Sequence, residues 1–508
     1  MLPRLDALLS VNAGLHPDAV CLIQADGQRA TYAALNAQAS AVASHLRAIG
    51  TGPGDRIGLS AQKSIAAVAA IFGILRAGAA YVPVDPQAPL ARSAGIFAGC
   101  GVRAVLCDDD VAGGLADALA GRHPTGEGTG VDGLTCLPAL TPGEPGDPAM
   151  AYILYTSGST GVPKGVIHTH ASAFAFVDWC SDAMRPTPDD RFSSHAPFHF
   201  DLSVFDLYLA IKHGAAIRII GADEGRQPGA LVDLAEKERL TFWYSTPTVL
   251  RSMLEFGGLE GRDLGALRVL CYAGEVFPTL ALKAVARVLP HPAWWNLFGP
   301  TETNVCTAHR LTDPVGMTDT DVVPIGVPVS GDRVRVAEDD GAAVARGQPG
   351  ELLVTGGSVM QGYWNLPDRN AAAFVTLDGD RYYRTGDIVV EQDDGTLIYH
   401  GRRDRMVKRR GFRIELGEIE AAMGRNAHLT RGAAVEAADR AGDIQIVHFF
   451  CGEGPDTSLL ALKRYAATAL PKYMIPDRFH RLDAIPMTST DKVDYQCLKE
   501  IARGLFAE

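Results

Sequence analysis

The stretch Tyr155-Thr156-Ser157-Gly158-Ser159-Thr160-Gly161-Val162-Pro163-Lys164-Gly165 follows the apolar run Ala151-Tyr152-Ile153-Leu154. The apolar run reads as a buried strand. Beyond it, glycines, hydroxyl residues and a lysine crowd together. Glycine lets the backbone fold back and bring several N–H groups to one anion. The hydroxyls add donors, and Lys164 adds a mobile positive charge. Such a loop suits a polyphosphate. It is not a Walker A loop, which needs Gly-Lys followed directly by Ser or Thr. Here Gly165 and Val166 follow Lys164. A Ser/Gly-rich surface turn has the same composition, so the order of the residues has to separate the two readings.

The 508 residues suggest two to four domains. With 47% hydrophobic and 21% charged residues, the chain is globular and can bury a large core. A net charge of -12 argues against wrapping nucleic acid, which needs a basic face. It leaves room for a small anion held by a local nest of N–H groups. Nine cysteines with no C-x-x-C pair indicate neither a zinc site nor a disulfide framework, and a cytoplasmic setting is the expectation. The first residues lack the pattern of a signal peptide. The most apolar stretch, 65–75, is too short to span a bilayer and reads as a buried helix, so no membrane association is expected.

Working outward, Thr31 is placed to cap a helix that continues to Gly50. Gly52-Pro53-Gly54-Asp55 is a turn before the short strand 56–59. A helix, a turn and another strand through Val82 continue an α/β rhythm. Residues 112–149, rich in Gly, Pro and Asp, read as a surface connection. Farther on, 195–208 reads as a helix start, with Asp201 as N-cap and Val204, Phe205 and Tyr208 packing inward. Thr301 is placed to cap another helix after Gly299-Pro300. Thr385-Gly386-Asp387 reads as a surface turn, and the cationic run 401–413 as a solvated face. Lys492 stands in a polar turn.

In their order along the chain, these stretches resemble the adenylate-forming superfamily, which includes acyl-CoA synthetases, luciferases and the adenylation domains of nonribosomal peptide synthetases. The resemblance runs from residue 30 to residue 494. It implies a large N-terminal α/β domain, 1–400, of αβα-type subdomains with a small β-rich subdomain around 350–364. A small mobile α+β C-terminal domain, 401–508, follows as a lid. It implies ATP and Mg²⁺. Thr156, Ser157, Gly158, Ser159, Thr160, Gly161 and Lys164 would cradle phosphates. Asn296 and Phe298 would lie at the nucleotide, Phe298 against adenine. Thr301 would contact the α-phosphate and Glu302 would hold the metal, a sensible role for a hard oxygen donor. Asp387 and Arg402 would bind ribose, Asp404 would be the hinge, and Lys492 the catalytic lysine. One departure is Thr490-Asp491 before Lys492, where the family has Asn-Gly.

The family's substrate positions fall on Asp201, Leu202, Phe205, Tyr244, Cys271, Ala273, Leu297, Val305, Cys306 and Lys492. An ammonium taken out of water needs a carboxylate partner, the role that Asp201 would fill. The other positions supply no second acid, so the side chain should be small and apolar. The set resembles that of freestanding prolyl-carrier-protein ligases, with Phe205 and Cys271 standing where those enzymes carry aliphatic residues. L-proline is the expected substrate. Its adenylate would pass to the phosphopantetheine thiol of a separate carrier protein. An acyl- or aryl-CoA ligase would leave Asp201 buried and unpaired. A catalytically inactive nucleotide-binding homologue is the remaining alternative, against which Lys164, Glu302, Asp387 and Lys492 count.

Overall fold

The computed structural model describes residues 4–139, 141–156, 163–319, 321–403, 405–426, 428–440, 442–452, 457–487 and 493–507. These divide into two compact units. The larger holds the chain up to Pro86, then Ser93–Tyr155 and Gly165–Arg403. The smaller holds Gln87–Arg92, Thr156–Lys164 and the residues after Arg403.

Two large sheets organise the larger unit, one of nine and one of eight strands among the described residues. In the first, Arg191–Ser194, Phe242–Ser245, Val269–Tyr272 and Ala293–Phe298 run parallel in that spatial order. In the second, Arg56–Ser60 lies parallel to Ala80–Pro83 and to Ala104–Cys107, and Met150–Thr156 is parallel to Ala80–Pro83. Parallel sheets of this kind bind ligands outside the carboxyl ends of their strands. A smaller five-stranded antiparallel sheet contains Pro349–Thr355 and Asp380–Glu391.

Local chemistry accounts for several elements. Thr31 caps the helix Tyr32–Ala48 by accepting from Ala34 N at 3.2 Å. The apolar run forms the buried helix Ile65–Ala77, capped by Ser64 and ended by Gly78 at φ 95°. The two helices pack closely, as Gly73 lies against Val42.

Other stretches depart from the sequence reading. Residues 112–149 are not a featureless connection. They contain the end of the helix Asp109–Ala120 and the antiparallel pair Thr129–Val131 and Leu134–Pro138. Asp132 at φ 49° and Gly133 at φ 84° form the two-residue turn between these strands. Val131, Leu134, Cys136 and Leu137 are buried, but the strands are too short for their alternation to stand out in the sequence. Gly362–Tyr363 leaves the small sheet and pairs with Lys164–Thr169 of the eight-stranded one.

In the smaller unit, the cationic run is a hairpin, Met406–Arg409 with Phe412–Glu415, turned at Arg410 and Gly411. Arg409 is buried and ion-paired with Asp477, so it is no solvated face. A three-stranded sheet and the helices Leu416–Met423, Leu459–Ala469 and Tyr495–Ala507 complete this unit.

A Cβ at Gly73 would stand 2.6 Å from Val42 Cβ and Cγ1 and 2.9 Å from Ala39 O. Gly73→Ala should gain about 1 kcal/mol of helix propensity but lose more to overpacking, which costs roughly 1–3 kcal/mol. Urea unfolding should therefore show a net loss of stability.

Candidate active site

The candidate residues come together because the parallel strands of the nine-stranded sheet end on one side. Tyr244 and Cys271 are register partners on adjacent strands, and Cys271 is in turn opposite Trp295. Ala273 follows one strand end, and Leu297 and Phe298 close another. Phe205, Tyr244, Cys271, Ala273, Leu297 and Val305 share one buried apolar cluster, whereas Phe298 and Cys306 belong to a neighbouring one. Leu202 packs against the first cluster and is half-buried.

Asp201 begins the helical segment that runs through Lys212. Val204, Phe205 and Tyr208 are buried as the apolar spacing demands. Asp201, however, makes no side-chain capping bond and has helical backbone angles. Tyr152 and Tyr244 both register its charge. Burial raises each phenol well above its ordinary acidity, and the nearby Asp201 carboxylate raises it further. Phe205 begins a π-helical turn, Phe205–Leu209, an irregularity that frequently marks functional sites. Its ring meets Tyr244 edge-on at 5.0 Å and lies 5.9 Å from Phe192 and 6.3 Å from both Phe176 and Phe242. The Cys271 thiol lies 3.9 Å from Met184 Sδ. Both departures from the prolyl pattern are thus held by the core behind them.

Thr301 does not cap a helix. A single 3₁₀ turn, Thr301–Thr303, follows Pro300. The turn is tight, since a Cβ on Gly299 would stand 2.1 Å from the carbonyl of Asn304, itself at φ 53°. Glu302 is fully buried, and its Oε1 accepts from the Tyr363 hydroxyl at 2.7 Å. His168 Nε2 donates to the Thr301 carbonyl at 2.7 Å. Its Nδ1 faces the Ser172 hydroxyl at 3.0 Å, and the ring stacks on Tyr152 at 5.2 Å. Tyr363 and His168 are members of this site that the sequence reading did not assign. A histidine shortly after the Gly-rich loop and a Gly-Tyr step were the only local signals, and neither shows its partner.

Asp387 is buried within the long strand Asp380–Glu391, not in a surface turn. Register places it opposite Arg402, with Nη1 2.7 Å from Oδ1. The other oxygen, Oδ2, is buried with no hydrogen-bond partner among the described residues. Such an orphaned acceptor is costly unless a ligand uses it. Thr385 holds the bend by donating to Leu352 O at 2.8 Å. Asn296 Nδ2 is engaged with Pro324 O at 2.7 Å. Phe298 lies 5.8 Å from the Tyr399 ring. Thr156 ends one strand and Lys164 begins the next, both at the Gly-rich loop. Ser157, Gly158, Ser159, Thr160, Gly161, Asp404 and Lys492 lie outside the described residues.

Comparison with known proteins bears on this arrangement. The family model described as AMP-binding enzyme matches residues 9–364. An L-proline–(L-prolyl-carrier protein) ligase of Streptomyces coelicolor is 37% identical over 92% of this chain and 91% of its own. One of the same description from Pseudomonas fluorescens is 39% identical over 93% of this chain and 94% of its own. Among solved structures, a nonribosomal peptide synthetase protein containing adenylation and PCP domains superposes with a TM-score of 0.79. It is 26% identical, with coverage of 98% of this chain and 84% of that one. No helix among the described residues is long and apolar enough to cross a membrane.

Burial pushes the His168 imidazole down to about 4, against the opposing pull of the Thr301 carbonyl and Glu302. A histidine with a folded value below its unfolded 6.5 is fully stabilising above 6.5 and loses that stability as pH falls toward 4. Urea midpoints should therefore fall steeply over that window. His168→Gln should be less stable at pH 7 yet show a shallower acid slope, smaller by up to about one proton.

Proposed function

Since the chain belongs to the AMP-binding enzyme family, we propose that it activates L-proline with ATP and passes it to a separate carrier protein. In the first step, a proline carboxylate oxygen attacks the α-phosphate of ATP, giving prolyl-AMP and pyrophosphate. In the second, the phosphopantetheine thiol of the carrier attacks the acyl carbon, and AMP leaves. The observation that carries this reading is Asp201, an acid at the start of the segment that carries Phe205 and whose charge acts on Tyr244, beside the apolar wall of Phe205, Tyr244, Cys271, Ala273, Leu297 and Val305. That pairing of one acid with an apolar wall suits an α-ammonium on a small apolar side chain. The two prolyl-carrier-protein ligases, similar over more than nine-tenths of each chain, support the same substrate and partner.

The remaining residues take roles consistent with their surroundings. Asp387 Oδ2, buried and unpartnered among the described residues, would accept from a ribose hydroxyl, while Arg402 holds Oδ1. Asn296 and Phe298 would border the adenine. Thr301 would donate to the α-phosphate from a turn that His168 holds by its carbonyl. Thr156, Ser157, Gly158, Ser159, Thr160, Gly161 and Lys164 would cradle the leaving pyrophosphate.

A hard divalent cation fits Glu302, whose carboxylate is buried and oriented by Tyr363. The described residues contain no cluster of three or more metal-ligating side chains. That suits Mg²⁺, which is usually held by one or two carboxylates plus phosphate oxygens. When bound, the ion would neutralise phosphate charge. Lys492 would steady the charge that develops between carboxylate and phosphate, and Asp404 would be the hinge of a C-terminal lid. Nine free cysteines accord with a reducing cytoplasm.

Amino-acid-dependent ATP–pyrophosphate exchange tests this reading across all proteinogenic amino acids, pipecolate, azetidine-carboxylate and aryl acids. L-proline should dominate. Asp201→Ala should lose about 3–5 kcal/mol, on the order of 10²–10⁴ in kcat/KM. Exchange with aryl acids alone would overturn the assignment of Asp201. Lys492→Ala should cost on the order of 10²–10³ in rate, and a wild type as inert as this variant would make the chain a binding module.

A further inference from the structure

One helix stands behind both departures from the prolyl pattern. His170–Met184 buries Phe176, Cys180 and Met184, which recur at every fourth residue and share one face. All three belong to the apolar cluster that holds the wall. The Phe176 ring lies 6.3 Å from that of Phe205, and Met184 Sδ lies 3.9 Å from Cys271 Sγ.

The two departures are opposite in size. A branched aliphatic side chain is larger than that of Cys, so Cys271 would leave a void in a close-packed interior unless another group filled it. Met184 is the side chain found against it. Cys271 is 0% exposed and Met184 5%, so solvent does not take that space. The unbranched, flexible methionine chain suits an irregular gap.

The end of the helix is tied to the strand that carries the thiol. Arg268 directly precedes the strand Val269–Tyr272. It donates from Nη1 to Met184 O at 3.1 Å and from Nη2 to Arg185 O at 3.0 Å. Arg185, at φ 49°, ends the helix there. Asp190, buried just before the strand Arg191–Ser194, holds the same guanidinium, with Nε 2.8 Å from Oδ1. With helix and strand fixed to each other, the depth of the wall at Cys271 is set by the side chain between them.

We propose that Met184 is a positioning residue that sets the size limit of the acid-binding site. It acts through Cys271. It fills the space that a larger residue at 271 would take, and so holds that side of the wall forward against a five-membered ring. This follows only if the wall receives proline, as proposed above.

The test compares L-proline with L-pipecolate, whose ring is larger by a methylene, in ATP–pyrophosphate exchange. The ratio of their kcat/KM values is one that general damage to the fold would not move. Met184→Ala should raise the pipecolate-to-proline ratio about tenfold or more, since a pocket that tells a methylene apart does so by about 10–200-fold. The change should lie in KM more than in kcat. Met184→Leu, similar in volume, should keep the ratio within about twofold of wild type. Cys271→Leu alone should overpack against Met184 and lower the urea midpoint. In the Met184→Ala background it should instead raise the midpoint and return the ratio to within about twofold of wild type. An unchanged ratio in Met184→Ala, or an equal loss of midpoint from Cys271→Leu in both backgrounds, overturns the proposal and makes Met184 a packing residue. If Met184→Ala does not fold, Met184→Val takes its place with the same outcomes. Wild type tests the premise separately. If another amino acid dominates, the proline reading fails, and Met184 is tested with that acid and its homologue longer by a methylene. Exchange with no amino acid overturns both.

Discussion

The Gly362–Tyr363 strand lies on Lys164–Thr169, and the Thr301–Glu302 end of the candidate site depends on that pairing. The strand that leaves the Gly-rich loop carries His168, which grips the Thr301 carbonyl. The strand laid beside it carries Tyr363, which grips the Glu302 carboxylate. The backbone of Met360 also donates to the Glu302 carbonyl at 2.8 Å. The Thr-Glu turn is thereby held at its backbone and at its side chain by one pair of neighbouring strands. Such preorganisation matters because groups that stabilise developing charge must already be in place when it develops.

Holding polar groups inside the protein has a cost, and the structure meets it in more than one way. His168 stays neutral, so no charge is buried there. Arg402 answers one oxygen of Asp387, and the other has no hydrogen-bond partner among the described residues. Buried pairs of this kind contribute little net stability compared with apolar replacements, while loss of one partner is expensive. Their value here is positional. They fix loops at the strand ends, where backbone hydrogen bonding of the sheet has stopped.

The large α/β architecture was legible where one residue type has one dominant local use. Thr31 caps its helix and the apolar run 65–75 is a buried helix. The turn at residues 52–55 precedes its strand, Arg56–Ser60. The reading failed where the pattern was short or where a polar residue had a distant partner. Residues 129–138 are a hairpin too brief for periodicity to reveal. Asp201 and Thr301 have good capping chemistry, yet neither side chain caps. At the site, the apolar wall emerged as one cluster, while the family positions Phe298 and Cys306 fell in the neighbouring one.

By itself, the sequence determined the family, the chemical types at the site and their order. These depend on contiguous residues: glycines that permit a loop, an acid before an apolar helix, an acid after a Gly-Pro turn. Only the tertiary structure decided that Tyr363 meets Glu302, that one buried oxygen of Asp387 beside Arg402 has no hydrogen-bond partner among the described residues, and that Lys63 donates to the loop before Asp201. Those facts follow from strand pairing and register, which are settled by burial across the whole chain and leave no local mark on the residues they join.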